Sequence, residues 1–281
     1  MTLAEQQEHA GPFRIPRNTA QEVKGSIHDD ATASKLGFRG GTVAGSIHMD
    51  QFVPALLALH GPAWFETGGL SLMFKQATVD GEAVRATVKP GADRAALTMF
   101  NEAGALICEG TASIDDDSGS ELACRLKAQE PPASGALRIL AAVRAGDEAR
   151  DIPLAVTPEA LAKRLATITE LLPEYGPDHL ILPPSMAVVL AHGARAAVVG
   201  SAGKAVGLFG ALEVQHLAGP LRAGVDYVGR TKVHALAESP KTEAVWYDVF
   251  IADQAAGQDM ARVRFFLRFM KGSSPLWTGA A

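Results

Sequence analysis

Gly25-Ser-Ile-His-Asp-Asp30 and, a short run later, Leu36-Gly-Phe-Arg-Gly-Gly-Thr-Val-Ala-Gly-Ser-Ile-His-Met-Asp50 are the segments on which the reading of this chain turns. They gather His28, Asp29, Asp30, His48 and Asp50 around a glycine-rich turn that opens an apolar run. Residues 29–36 predict a short helix, with Asp29 or Asp30 placed to cap it, because a carboxylate accepts from the free N–H groups of a first helical turn. Gly40-Gly41 breaks that helix. Val43, Ile47, Phe52, Leu56, Leu57 and Leu59 then recur with few charges among them, which predicts one long, largely buried helix over 43–59, ended at His60-Gly-Pro62.

Downstream the period shortens from helical to strand-like. Runs at 69–76, 83–89, 94–100 and 105–114 are separated by Asp80-Gly81, Pro90-Gly91 and Asn101-Glu-Ala-Gly104, which predicts four antiparallel strands after one helix. Phe13-Arg-Ile-Pro16 reads as a short strand or extended entry, and residues 1–12 as a frayed polar start. The second half repeats this order. Thr157-Pro158 opens a helix with a threonine cap and proline at its first position, Pro183–His192 begins a second apolar helix, and strands follow at 208–217, 225–236, 244–252 and 261–269. Acidic and proline-rich breaks lie between the copies. The expected organisation is therefore a first unit over 1–125, a linker over 126–150 and a second unit over 151–281, an α+β fold in which each sheet wraps one long helix.

The totals narrow the function classes. With 281 residues, 47% hydrophobic and 20% charged, and a formal net charge of -5, the chain buries ample apolar surface and has no global basic field for nucleic acid or anionic membrane. It contains no uninterrupted apolar stretch of transmembrane length and no secretion signal, so a cytoplasmic location is expected. Cys108 and Cys124 are too few for a disulfide framework and are read as reduced.

Ile27-His28-Asp29-Asp30, Leu36-Gly-Phe-Arg-Gly-Gly41, Val43-Ala-Gly-Ser46 and Phe74-Lys-Gln-Ala-Thr-Val-Asp-Gly-Glu-Ala-Val84 follow one another in an order that resembles the MaoC-like branch of the hotdog superfamily, the (R)-specific enoyl-coenzyme A hydratases and 3-hydroxyacyl dehydratases. The resemblance covers most of the chain and implies a tandem double hotdog assembled as a homodimer through its sheets. It implies no metal and no separate cofactor, coenzyme A entering only as part of the substrate. Hydration of an enoyl thioester needs a base, an acid and donors for the developing enolate oxygen. By the resemblance His28 falls on the family histidine and Gly45 on the oxyanion-binding glycine, at the start of the central helix. The family aspartate is absent, since Val23 stands at its position. In the second half Glu170 and Tyr175 fall where the pair would be, which implies a structural copy.

The candidate catalytic residues are accordingly His28, with Asp50, Asp30 or His48 replacing the lost carboxylate; Gly45, Ser46 and Val23 are the candidate substrate-binding positions. Histidine suits proton transfer near neutral pH, whereas Asp29 and Asp30 serve equally well as helix caps. Ser46 and Asp50 share a helical face and His48 points about 160° away, so the three are not expected to line one pocket. These residues match no metal-ligand spacing. Arg39 and Lys75 are possible contacts to a coenzyme A phosphate, set against ordinary solvated cations. Arg262, Arg264 and Arg268 are read as sheet-surface charges. The expected activity is a hydro-lyase acting on a small acyl thioester; a hotdog thioesterase and a non-catalytic acyl-ligand binder are the alternatives.

Overall fold

The computed structural model describes residues 8–115, 118–132 and 137–279. The alternation of buried and exposed residues along β3 (Val84–Lys89) and β4 (Ala95–Asn101) shows why these runs are strands: every second side chain enters the core and the others face out. They sit in one antiparallel half-sheet with β1 (His9–Ala10), β2 (Gly68–Phe74) and β5 (Leu106–Ile114); β6 (Glu148–Ala155), β7 (Gly207–His216), β8 (Asp226–Glu238), β9 (Thr242–Asp253) and β10 (Asp259–Met270) make the other. The spatial order is β1-β3-β4-β5-β2-β7-β10-β9-β8-β6, a single ten-stranded sheet. Its seam is the antiparallel pair β2·β7, where Gly69 faces Gln215 and Ser71 faces Glu213. A side chain at Gly69 would collide with the Gln215 amide, whose Nε2 donates to the carbonyls of Thr67 and His216 at 2.8 Å each.

The eight strands read from alternation are all present, with ends displaced by at most two residues. Two further strands carry weaker signals. His9–Ala10, expected to fray, pairs with Val88 and Thr87. β6 contains Pro153 and is mostly solvent-facing, a composition that suits an edge strand and hides it from hydrophobic patterning.

The apolar run expected as one helix is two, α2 (Gly45–Asp50) and α3 (Val53–His60); α1 (Asp30–Lys35) precedes them. Pro54 causes the break. It has no N–H to donate, and its ring excludes the carbonyl of Asp50 four residues back from a continuous helix. The chain turns there through shorter bonds from Gln51 N to the His48 carbonyl and from Phe52 N to the Met49 carbonyl, both 3.3 Å. α4 (Trp64–Thr67) leads into β2, and α5 (Glu121–Lys127) lies over the outer face of the seam. In the second half α6 (Pro158–Leu165) starts as expected, Thr157 Oγ1 accepting from Ala160 N at 3.2 Å, and α7 (Pro184–His192) is the central helix; α8 (Ala196–Val199) and α9 (Pro275–Thr278) are single turns. Met49, Phe52, Val53 and Leu56 from one central helix and Met186 and Leu190 from the other join one continuous apolar cluster inside the curved sheet.

Arg262 and Arg264 correct the sequence reading. They share a sheet face, but it is covered rather than open: both are buried, in an ion cluster with Glu213 and Asp248. Arg264 donates to Asp248 twice, Nε to Oδ1 and Nη2 to Oδ2, each at 2.8 Å. Burial acts to raise the Asp248 pKa, yet the bonds from His234 and Arg264 outweigh it and hold the carboxyl at about 2. Strand periodicity identifies which side chains share a face; it does not reveal what packs over that face.

Candidate active site

A cavity of ≈ 1110 Å³ runs between the two central helices. Its first-half wall is built by the 23–28 turn, the Thr42–Ser46 entry to α2 and the Phe74–Thr78 exit from β2; its second-half wall comes from α7 and the ends of β7 and β10. His28, Gly45, Ser46, His48 and Val23 all line it.

His28 is held by the glycine turn. Its Nδ1 lies 2.6 Å from the Thr42 carbonyl oxygen, which can only accept, so Nδ1 carries the proton and Nε2 keeps a free lone pair. The turn itself is tied down by Asp30, whose Oδ1 accepts from Gly41 N at 2.7 Å and whose Oδ2 accepts from Gln21 Nε2 at 3.2 Å. Gly41 is obligatory at that approach, because a Cβ there would lie 2.3 Å from the His28 carbonyl oxygen. Asp30 therefore positions the segment that carries His28 and does not line the cavity. Asp29 is the N-cap residue of α1, with Oδ2 2.7 Å from Thr32 Oγ1.

Gly45 is the first residue of α2, where N–H groups lack intrahelical acceptors and the helix dipole is positive. Phe74 stands directly over it: a Cβ on Gly45 would come within 2.7 Å of the ring. The cavity wraps around this helix end and so reaches both Ser46 and His48, which the helical wheel had set on opposed faces. His48 is buried, and its Nε2 lies 2.9 Å from Thr78 Oγ1; burial lowers its pKa to about 4, so it is neutral near pH 7.

Asp50 is placed elsewhere. Fully buried one turn further along, it turns away from the cavity and its Oδ1 accepts from the backbone N–H of Ser185 at 2.8 Å, in the first turn of α7. It thus occupies the helix end that corresponds, in the second half, to the end marked by Gly45. Burial raises its pKa to about 7 against the bonds from Ser185. Nearby, Glu170 is paired with Arg14 at 2.8 Å and Tyr175 is buried. The second-half counterpart of the site is filled by protein side chains, which supports its reading as structural. Val23, 55% exposed, sits at the open rim.

Among the lining residues that the sequence reading did not single out are Arg164, His192 and Arg195. His192 lies at the C-terminal end of α7 against Phe209 (ring centroids 5.7 Å), and burial, with Arg195 adding to it, lowers its pKa to about 4. Arg164 in the last turn of α6 and Arg195 just past α7 read in the sequence as ordinary complements of helix dipoles, so local pattern does not mark them as cavity residues. Among the described residues no aspartate or glutamate lines the cavity. Of the two possible phosphate contacts, Arg39 is paired with Glu82 at 2.6 Å and Lys75 with Glu109 at 2.7 Å.

The chain's sequence matches no family model and no curated protein. Its structure is similar to solved ones. A MaoC-domain protein of Chloroflexus aurantiacus assigned as a dehydratase superposes with a TM-score of 0.60 at 12% identity over 94% of each chain. A Mycobacterium tuberculosis protein described as a double hotdog superposes with 0.62 at 13% identity, over 95% of this chain and 97% of that one. The fold is a double hotdog. A further structure, a MaoC-like dehydratase, agrees with a TM-score of 0.53 at 14% identity over 92% and 96% of the two chains. No described helix of this double hotdog is long and apolar enough to cross a membrane.

Proposed function

We propose that the protein interconverts 3-hydroxyacyl and 2-enoyl thioesters, as a dehydratase or hydratase. The observation that carries this reading is the anchored imidazole of His28, with Nδ1 committed to the Thr42 carbonyl and Nε2 free, in the same cavity as the N-terminal turn of α2. In the dehydration direction His28 Nε2 takes the α-proton. The electron pair moves through the carbonyl to an enolate oxygen, which the N–H groups of Gly45 and Ser46 receive with the help of the helix dipole. The enolate then re-forms its carbonyl and expels the β-hydroxyl, which leaves as water with the proton now on His28. One group serves as base and then acid, so the mechanism needs no second carboxylate in place of the family aspartate, and Asp50 is assigned to holding the two helices together.

The absence of a lining carboxylate among the described residues also favours this reading over a thioesterase that activates water with Asp or Glu. The structural similarity to proteins called dehydratases supports it. An acyl thioester as the small-molecule partner, and a cytoplasmic homodimer checked by light scattering, complete the proposal. The test is incubation with a panel of 2-enoyl- and 3-hydroxyacyl-coenzyme A thioesters, following enoyl absorbance and free thiol together. Change in absorbance without thiol is expected; thiol release without a hydroxyacyl product overturns the proposal.

A further inference from the structure

His48, His60 and His216 each bury a ring nitrogen that has no partner among the described residues, Nδ1 in His48 and His216 and Nε2 in His60. Of these three, His48 is the one that lines the cavity. An unpaired polar nitrogen in the interior is costly, so one kept beside a site asks for a partner that the protein itself does not supply.

The tautomer of His48 follows from Thr78. Thr78 is wholly buried, and the sole partner of its hydroxyl among the described residues is His48 Nε2, at 2.9 Å. A hydroxyl carries one proton to donate. If Nε2–H donated to Thr78 Oγ1, two groups would be stranded, the Thr78 proton and the His48 Nδ1 lone pair. If Thr78 donates to Nε2, only an Nδ1–H is stranded, which is the less costly arrangement. His48 therefore presents a donor. His28 is the complement: its Nδ1–H is committed to the Thr42 carbonyl, and it presents a lone pair.

Short bonds bring both rings to the entry of α2. The Thr42 carbonyl holds His28, and the next residue, Val43, donates its N–H to the Thr78 carbonyl at 2.9 Å. The Thr78 side chain in turn holds His48. His48 is the fourth residue of α2, three after Gly45, and a helical side chain leans toward the N-terminus, over the turn that Gly45 begins. The unpartnered Nδ1–H thus adjoins the N–H groups of Gly45 and Ser46 through local geometry alone. Burial keeps the ring neutral, and a neutral imidazole polarises a carbonyl by hydrogen bonding without giving up its proton.

We propose that His48 Nδ1–H is a third donor to the thioester oxygen, beside the N–H groups of Gly45 and Ser46, and that Thr78 is the positioning residue that fixes its tautomer. The inference rests on the reading of the cavity as a thioester site. As His28 takes the α-proton, charge builds on the thioester oxygen and the bond from His48 strengthens; the His48 proton stays on nitrogen throughout.

Two measurements test this, the first with no ligand. In protein isotope-labelled in its histidine rings, NMR is expected to show His48 with Nδ1 protonated and Nε2 bare; a protonated Nε2 overturns the proposal. The second uses the 2-enoyl-coenzyme A that the wild type binds most tightly, isotope-edited at the thioester carbonyl, whose infrared stretch falls as donors pull on the oxygen. His48→Leu/Thr78→Val removes both partners of the bond together, so no hydroxyl is stranded, and His48→Asn returns an N–H donor near the place of Nδ1. The bound carbonyl is expected to absorb at lower frequency in the wild type and His48→Asn than in the double variant. In step with this, kcat/KM is expected to fall on the order of 10²-fold in the double variant and to recover at least tenfold in His48→Asn, with the pH profile unmoved. Equal carbonyl frequencies in the wild type and the double variant overturn the proposal, as does wild-type turnover by the double variant. A displaced pH profile also overturns it, because His48 would then be an acid or base and not a fixed donor. A lowered frequency in a wild type that does not turn the thioester over sustains this inference and defeats the proposed reaction instead.

Discussion

The carboxylate of Asp50 accepts the backbone N–H of Ser185 at 2.8 Å, so a residue on the central helix of the first half caps the central helix of the second. This bond joins the two halves across their shared core and occupies the first turn of α7, the second-half counterpart of the α2 end at Gly45. Its energetics depend on pH. Burial raises the Asp50 pKa from 3.8 to about 7, so the folded state holds the proton more tightly than the unfolded chain does. The contribution of Asp50 to stability is thus fully present below pH ~3.8 and is lost as pH rises through about 7. Asp50→Asn keeps an acceptor for Ser185 and removes the titration. The variant is expected to match the wild type at pH 4 and to exceed it by ~2–4 kcal/mol at pH 8 in urea unfolding. Equal destabilisation at both values would show that the charge itself holds α7.

Phe74 over Gly45 gives a steric prediction. Gly45→Ala drives a methyl to within 2.7 Å of the ring, which must rotate into the cavity or push the α2 entry aside. A loss of kcat/KM on the order of 10²-fold is expected, with less than ~1 kcal/mol lost in stability because Phe74 is only partly buried. The double variant Gly45→Ala/Phe74→Leu is expected to recover at least tenfold. No recovery would show that the methyl acts on the backbone donors and not through Phe74.

Arg264 and Asp248 form a buried bidentate pair, and removing one partner strands the other in the core. Arg264→Met is expected to cost ~3–5 kcal/mol, whereas Arg264→Met/Asp248→Leu returns much of it by removing both charges. Equilibrium unfolding of the two variants and the wild type decides this. A cost below ~1 kcal/mol for the single change would mean that the remaining cations satisfy Asp248 alone.

Much of the architecture was legible because it rests on local patterns. Alternation along 84–89 and 95–101 specifies strands that bury one face, and Thr157-Pro158 specifies a helix start by hydrogen bonding within four residues. Pro54 was legible too, and breaks the central helix for an elementary reason that the apolar periodicity around it masks. His28, Gly45 and Ser46 could be singled out because the chemistry of the first-half wall is carried by contiguous segments. Arg164, His192 and Arg195 lie more than a hundred residues away and reach the same cavity only through the packing of α2 on α7. Asp50 failed as a cavity residue for the same reason: its environment is set by Ser185, which no local pattern connects to it. By the resemblance Val23 stands where the family aspartate would be, and in the structure it lies exposed at the cavity rim.

His28→Gln tests the central claim most directly. Glutamine can still hydrogen-bond near Thr42 but cannot take and return a proton. With a 2-enoyl-coenzyme A substrate that the wild type hydrates, kcat/KM is expected to fall by on the order of 10³-fold while thioester affinity stays within about a factor of two of the wild type and the melting temperature shifts by less than about 3 °C. Retention of wild-type turnover by His28→Gln would contradict the account, because no other group in the cavity has been assigned the proton.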